Sequence, residues 1–269
     1  MADLSGKART RDGSSLFYRI YPQAGKPKLA LIHSLALDST IWDGVVGELS
    51  SEFELLTYDC RGHGQSERRS GDYTARLFGE DLAALLDHCG WTSAVIAGCS
   101  MGGCVAQAFA GLFADRAQAL ALIDTTAWYG PTAPQDWRAR AAKAVKEGLT
   151  AMLPFQLKRW FSEDFRAAHP SLVDRLTKVF LANDMSCYQS SCALLGEADL
   201  RSVASSLRIP VSVIVGEEDY ATPLAMSQVL HSTIAGSTLT VIPGARHLTP
   251  VQAPSNIATL IRELVRHSA

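Results

Sequence analysis

Between Cys89 and Ala114 the chain carries no Asp, Glu, Lys, Arg or His. So long a stretch without charge must lie buried, in a protein core or in a bilayer. As one continuous helix it would hold Gly98, Ser100, Gly102 and Gly103 at its middle, and each helical glycine costs about 1 kcal/mol relative to alanine. The stretch therefore reads as a buried strand over 93–97, a tight turn, and a buried helix over 101–113. A membrane span is not expected. A buried strand followed at once by a buried helix demands a sheet with cover on its faces.

The flanking sequence supplies both sheet and cover. Strand character appears at 15–21 (SLFYRIY), 28–33 (KLALIH), 53–58 and 119–123 (ALALI). Helical periodicity lies between these runs, over 40–49 with Ile41, Trp42, Val45, Val46 and Leu49 on one face, and over 74–89 with Leu77, Leu82, Leu85 and Leu86. Repeated strand–helix units predict a mostly parallel central sheet with helices on both faces. The alternation breaks at Asp124. From 127 to 207 only helical signals occur, at 135–152, 170–182 and 188–195. Strands return at 211–215 and 238–242, with helices over 223–234 and 254–266. The expected organisation is an α/β core over 1–126 and 208–269, interrupted by a helical cap over 127–207.

In an open α/β sheet, reactive groups collect in the turns beyond the carboxyl ends of the strands. Gly98-Cys99-Ser100-Met101-Gly102 falls in such a turn and matches G-x-S-x-G between strand and helix. The glycines let the backbone fold sharply around Ser100, exposing its hydroxyl and aiming the Met101 N–H at the same space. A serine hydroxyl needs a base. Of seven histidines, His247 sits in the loop after the last strand, where the Ser, Asp, His chain order places the base. His88, His169, His231 and His267 lie on or beside helices and read as surface residues, while His63 reads as a turn residue. The acid that orients the imidazole is expected at Asp219, which ends a strand 28 residues before His247. Asp124, at the end of an earlier strand, is its rival.

An oxyanion formed on attack needs preorganised donors. Met101 N–H is one, and Leu35 N–H, in the loop after strand 28–32, is the expected second. His33 opens that loop and is a candidate for bracing it or for touching substrate. Trp128, Tyr129, Trp137, Trp160 and Phe161 are available to wall an apolar pocket; Trp128, Trp137 and Trp160 are the expected substrate contacts. Between Pro131 and Phe180 there are nine Lys or Arg against five Asp or Glu, a local +4 on a chain of net charge −2, which favours an anionic substrate over a nucleic acid. The polar start of the chain, without the apolar run of a secretory signal, predicts a cytoplasmic address. Six cysteines with no C-x-x-C pair predict reduced thiols and no zinc site.

The residues resemble the α/β-hydrolase family nearly end to end, and more narrowly the 3-oxoadipate enol-lactonases. The resemblance rests on His33-Ser34-Leu35-Ala36-Leu37-Asp38 with Trp42, Tyr58-Asp59-Cys60-Arg61-Gly62-His63-Gly64, Gly98-Cys99-Ser100-Met101-Gly102-Gly103, and the cap segments Arg159-Trp160-Phe161 and Ala198-Asp199-Leu200-Arg201. It implies an α/β-hydrolase fold and a serine hydrolase that opens a carboxylated enol-lactone of the 3-oxoadipate type through an acyl-enzyme in aromatic catabolism, acting on a small anionic lactone or ester, without cofactor or metal. His33, Cys99 and Thr249-Pro250 depart from the lactonase pattern, which has Asn, Leu and Ser-Asn there. Esterases, perhydrolases, carbon–carbon hydrolases of ring-fission products, and non-catalytic receptors on the same scaffold remain alternatives. The sequence leaves the oligomeric state open.

Overall fold

A computed structural model describes residues 4–266. Eight strands form one sheet: β1 (Leu4–Arg9), β2 (Ser15–Tyr21), β3 (Lys28–Ile32), β4 (Glu54–Tyr58), β5 (Ala94–Cys99), β6 (Ala117–Ile123), β7 (Val211–Gly216) and β8 (Thr238–Ile242). Their spatial order is β1-β2-β4-β3-β5-β6-β7-β8. β2 runs antiparallel to both β1 and β4, and all pairs from β4 through β8 are parallel. Every position of β5 and β7 is buried, as it must be in strands covered on both faces.

The cover comes from α1 (Asp43–Leu49), α2 (Ala75–His88), α3 (Met101–Leu112), and, past the insertion, α9 (Leu224–Thr233), α10 (Thr249–Gln252) and α11 (Pro254–Arg266). α1 packs on α11 and α2 on α3. α3 is buried at every residue from Met101 to Ala110, which is why this part of the chain tolerates no charge. Between β6 and β7 lie α4 (Ala133–Trp160), α5 (Glu163–Ala168), α6 (Pro170–Leu181), α7 (Met185–Glu197) and α8 (Arg201–Ser206). Among the described residues no helix is long and apolar enough to cross a membrane.

Three features differ from the sequence expectation. β1 was not anticipated: LSGKAR sits at the sheet edge with most positions exposed, so no apolar alternation marks it. α4 continues to Trp160, past the expected end at Met152, but is broken at Gly148, whose φ of 78° and ψ of 160° leave the helical region. The break lets two half-helices face one space instead of running as a straight rod. The short α5 and α8 carry too few turns to show a period. His267 and the other residues at each end of the chain fall outside the described range.

Candidate active site

The order of the sheet assembles the site. β3 and β5 are neighbours, with Ile32 opposite Gly98, so the loop after β3 and the turn after β5 emerge side by side. Ser100 forms that turn with φ 56° and ψ −115°, a left-handed conformation that costs a non-glycine residue about 1 kcal/mol or more. The surroundings hold it there: Ser100 N–H donates to Ile123 O (2.9 Å), and Thr125 Oγ1 donates to Ser100 O (2.7 Å). The glycines are needed for contact as well as for turning. A Cβ on Gly98 would collide with the Gly102 carbonyl, and one on Gly102 with the Ile32 carbonyl. Only bare backbone lets α3 start this close to β3 and β5.

β7 and β8 bring the other two groups. His247 Nδ1 lies 2.8 Å from Asp219 Oδ2, and Nε2 lies 2.9 Å from Ser100 Oγ. A carboxylate only accepts, so Nδ1 carries the proton, Nε2 is the free acceptor, and the serine hydroxyl donates to it. Asp219 also accepts from the N–H groups of Ala221 (2.6 Å) and Thr222 (2.9 Å) and from Thr222 Oγ1 (2.7 Å). Burial pushes its carboxyl up, but His247 and these donors outweigh it and hold Asp219 below the usual carboxylate range.

Asp124, the rival acid, does not touch His247. Its Oδ1 accepts from Gly216 N–H (3.0 Å), and Oδ2 accepts from Thr249 N–H (2.9 Å) and Oγ1 (2.7 Å). It ties the end of β7 to the segment after His247. Burial and the nearby Asp219 carboxylate push Asp124 upward.

Leu35 lines the cavity above Ser100, and among the described residues its N–H has no protein acceptor. Met101 N–H opens α3 and has no carbonyl of its own helix to meet. Both expected donors are thus uncommitted. His33 is not on the cavity wall, contrary to the expectation that it touches substrate. Its Nε2 accepts from Cys60 N–H (2.8 Å) and its Nδ1–H donates to Ser34 O (2.7 Å), so both ring nitrogens serve the backbone of the loop that carries Leu35. Burial lowers its pKa to about 4, keeping the ring neutral for that task. The other departures from the lactonase pattern also brace: Cys99 Sγ is 3.9 Å from His247 O, and Thr249 holds Asp124.

The cavity above Ser100 is bordered by Ser34, Leu35, Ser100 and His247. Its roof comes from the cap. Trp137, Trp160 and Tyr129 line it. Trp128 does not: it pairs with Asp199, and the Arg201 guanidinium stacks 3.8 Å from its ring centroid. The groups missed by sequence reasoning are Arg140, Gln156 and Arg159, all on α4 and all facing this cavity. The local excess of positive charge was their one sequence signal, and it could not say which cations turn inward. Among the described residues neither arginine has a carboxylate within ion-pair distance. Arg140 Nε donates to Tyr188 Oη (2.9 Å), and burial together with the Arg140 cation pushes the Arg159 guanidinium down.

The end of α4 is anchored to the loop that carries His247. His247 N–H and Leu248 N–H donate to the carbonyls of Arg159 and Trp160 (both 3.3 Å), and Arg246 Nη1 donates to Lys158 O (2.8 Å) and Phe161 O (3.0 Å). These bonds tie the end of α4 to the His247 loop.

A strand–elbow–helix serine, a histidine after β8 and a carboxylate after β7, set on this sheet order, define an α/β hydrolase. The chain belongs to that family: residues 27–254 match the family model for the alpha/beta hydrolase fold. Within it, the chain is similar to the enol-lactonases. It is 34% identical to 3-oxoadipate enol-lactonase 2 of Acinetobacter baylyi over 245 residues, 91% of each chain. The crystal structure of the enol-lactonase from Burkholderia xenovorans LB400 superposes with a TM-score of 0.92 at 33% identity, covering 97% of this chain and all of that one. A thermophilic esterase from Thermogutta terrifontis, solved with malate bound, gives 0.90 at 30% identity over 98% of this chain and 99% of its own.

Proposed function

We propose that this enol-lactonase-like hydrolase opens a carboxylated enol-lactone of the 3-oxoadipate enol-lactone type through an acyl-enzyme on Ser100, in the cytoplasmic breakdown of aromatic compounds. The observation that carries the reading is the pair of unpaired arginines, Arg140 and Arg159, sharing one cavity with the Ser100–His247–Asp219 relay. Two cations without protein counter-charges, one of them against its like, form a site for a substrate carboxylate. Free cysteines throughout suit a reducing compartment.

In this mechanism His247 Nε2 takes the Ser100 proton as Oγ attacks the lactone carbonyl. Negative charge gathers on the carbonyl oxygen, toward Leu35 N–H and Met101 N–H, each donor of this kind contributing about 3–4 kcal/mol. The bond from the carbonyl carbon to the enol oxygen breaks, and His247 returns the proton as the enol leaves. That enol tautomerises to a ketone. Water, deprotonated by the same imidazole, then attacks the acyl ester and frees Ser100.

A carboxylesterase reading has one observation in its favour. A second cleft shares Tyr129, Trp137, Arg140 and Arg159 with this cavity and is lined by Ala151, Met152 and Phe155 together with Asp136 and Lys143, which leaves room for an ester with a longer arm. The test is a substrate panel with purified protein: the enol-lactone, a carboxylated aryl ester, a neutral aryl ester and a vinylogous diketone acid. The lactonase reading expects the lactone to be turned over fastest, and a fluorophosphonate to label wild type but not Ser100→Ala. Arg159→Ala should raise KM for the two carboxylated ester-type substrates about tenfold or more, with a much smaller effect on the neutral ester. Negligible lactone turnover beside fast turnover of another compound would overturn it.

A further inference from the structure

Gln156 has no role in the relay, the oxyanion donors or the carboxylate site, yet it lines the same cavity. It is 3% exposed, and among the described residues its carboxamide has no hydrogen-bond partner. Its amide atoms are not among the wholly enclosed polar atoms that lack a partner, so they open onto the cavity and are available to a bound molecule. Gln156, Arg159 and Trp160 fall at i, i+3 and i+4 on the second half of α4, so one helical face presents them together to the space above Ser100. The break at Gly148 turns this half-helix so that its face closes the cavity, opposite Arg140 and Trp137 from the first half.

The chemistry of the three cap groups differs. The arginines offer only donors and positive charge, and Trp160 offers an apolar ring with a single N–H donor and no acceptor. A primary carboxamide offers one N–H2 donor group and one acceptor oxygen, with no charge. Charged groups elsewhere in the cavity already answer a carboxylate, so the unmet need of Gln156 is for a neutral polar atom. We propose that Gln156 is a specificity-determining residue that hydrogen-bonds a neutral oxygen of the substrate, a ketone, enol or hydroxyl distinct from both the scissile carbonyl and the carboxylate. The substrate class is then an oxygenated carboxylate ester or lactone. This rests on the acyl-transfer reading above. A site built to bond such an oxygen rejects the analogue lacking it, because the amide is then buried unpaired.

The test compares two 4-nitrophenyl monoesters, of 4-oxoheptanedioic acid and of heptanedioic acid, which differ by a ketone against a methylene. Wild type should favour the keto ester by about tenfold in kcat/KM, the value of one hydrogen bond to an uncharged group. In Gln156→Met, which keeps length and volume, the ratio should fall to within about twofold. The melting temperature of ligand-free Gln156→Met should stay within about 2 °C of wild type, since the amide bonds no group of the protein; a structural glutamine would give a fall of about 4 °C or more. A ratio unchanged by the substitution, or a lowered melting temperature with Gln156→Leu behaving the same way, overturns this inference alone. Absence of turnover of either ester by folded wild type overturns the acyl-transfer reading and this inference with it.

Discussion

Lowering the pH from 7 to 5 should cost this fold about 4 kcal/mol through two histidines that do not take part in the proposed chemistry. His33 and His63 are buried side by side, ring centroids 5.1 Å apart and edge to face. His33 bridges Cys60 N–H and Ser34 O, and His63 Nδ1–H donates to Arg61 O (2.9 Å). Burial lowers their pKa values to about 4 and about 3, His63 being held down further by His33. In the unfolded chain both sit near about 6.5. The folded values lie below the unfolded ones, so between them the unfolded state binds more protons. Their contribution is complete above the unfolded value and is lost as the pH falls through it. At pH 5 each ring is mostly charged in the unfolded chain and mostly neutral in the folded one, a loss of about 2 kcal/mol apiece relative to pH 7. Against a typical stability of about 5–15 kcal/mol this is a large fraction. The measurement is the urea midpoint and slope, followed by tryptophan fluorescence at both pH values. His33→Asn removes one titrating ring, so its loss should be smaller by about 2 kcal/mol. Burial also pushes the carboxyls of Asp81 and Asp124 up, and these stabilise the fold as the pH falls, so the comparison between the two proteins is the test: an identical loss in wild type and His33→Asn would refute the reasoning. The consequence for activity follows from geometry: an imidazolium at position 33 would turn an N–H against Cys60 N–H and loosen the loop that carries Leu35.

Asp219→Asn should cut kcat by about 10⁴-fold with little change in melting temperature, because the imidazole would take the wrong tautomer. Asp124→Asn should instead destabilise the fold by about 2–3 kcal/mol, measured by denaturant titration, since one amide oxygen cannot serve Gly216 and Thr249 together; the reverse pattern would exchange the two roles. Asn183 Nδ2 donates to Ala36 O (2.8 Å) and to Phe180 O (2.9 Å), joining the end of α6 to the loop beside Leu35, where Ala36 has φ 59°. Asn183→Ala should lower stability by about 1–2 kcal/mol and kcat several-fold, and Asn183→Asp, which has no N–H to donate, should match it in both assays.

Much of this molecule is set by local chemistry and can be read along the chain. The charge-free run from 89 to 114, the glycines around Ser100 and the alternating strand and helix periods dictate β5, the elbow, α3 and the parallel sheet, because burial and steric freedom act residue by residue. The places of Asp219 and His247 after β7 and β8 follow from chain order. Which acid meets the imidazole was decided only when the strands took their positions, since Asp219 and Asp124 end similar strands and differ only in what lies across from them. The roof of the cavity was likewise decided by packing. Arg140, Gln156 and Arg159 sit among many polar residues of α4 with nothing local to set them apart, and the break at Gly148 turned their faces inward. Trp128, as promising in sequence as Trp137, was turned outward onto Arg201. A period marks which side of an element is apolar; the direction a polar side chain faces depends on the neighbour it packs against, and that neighbour comes from far along the chain.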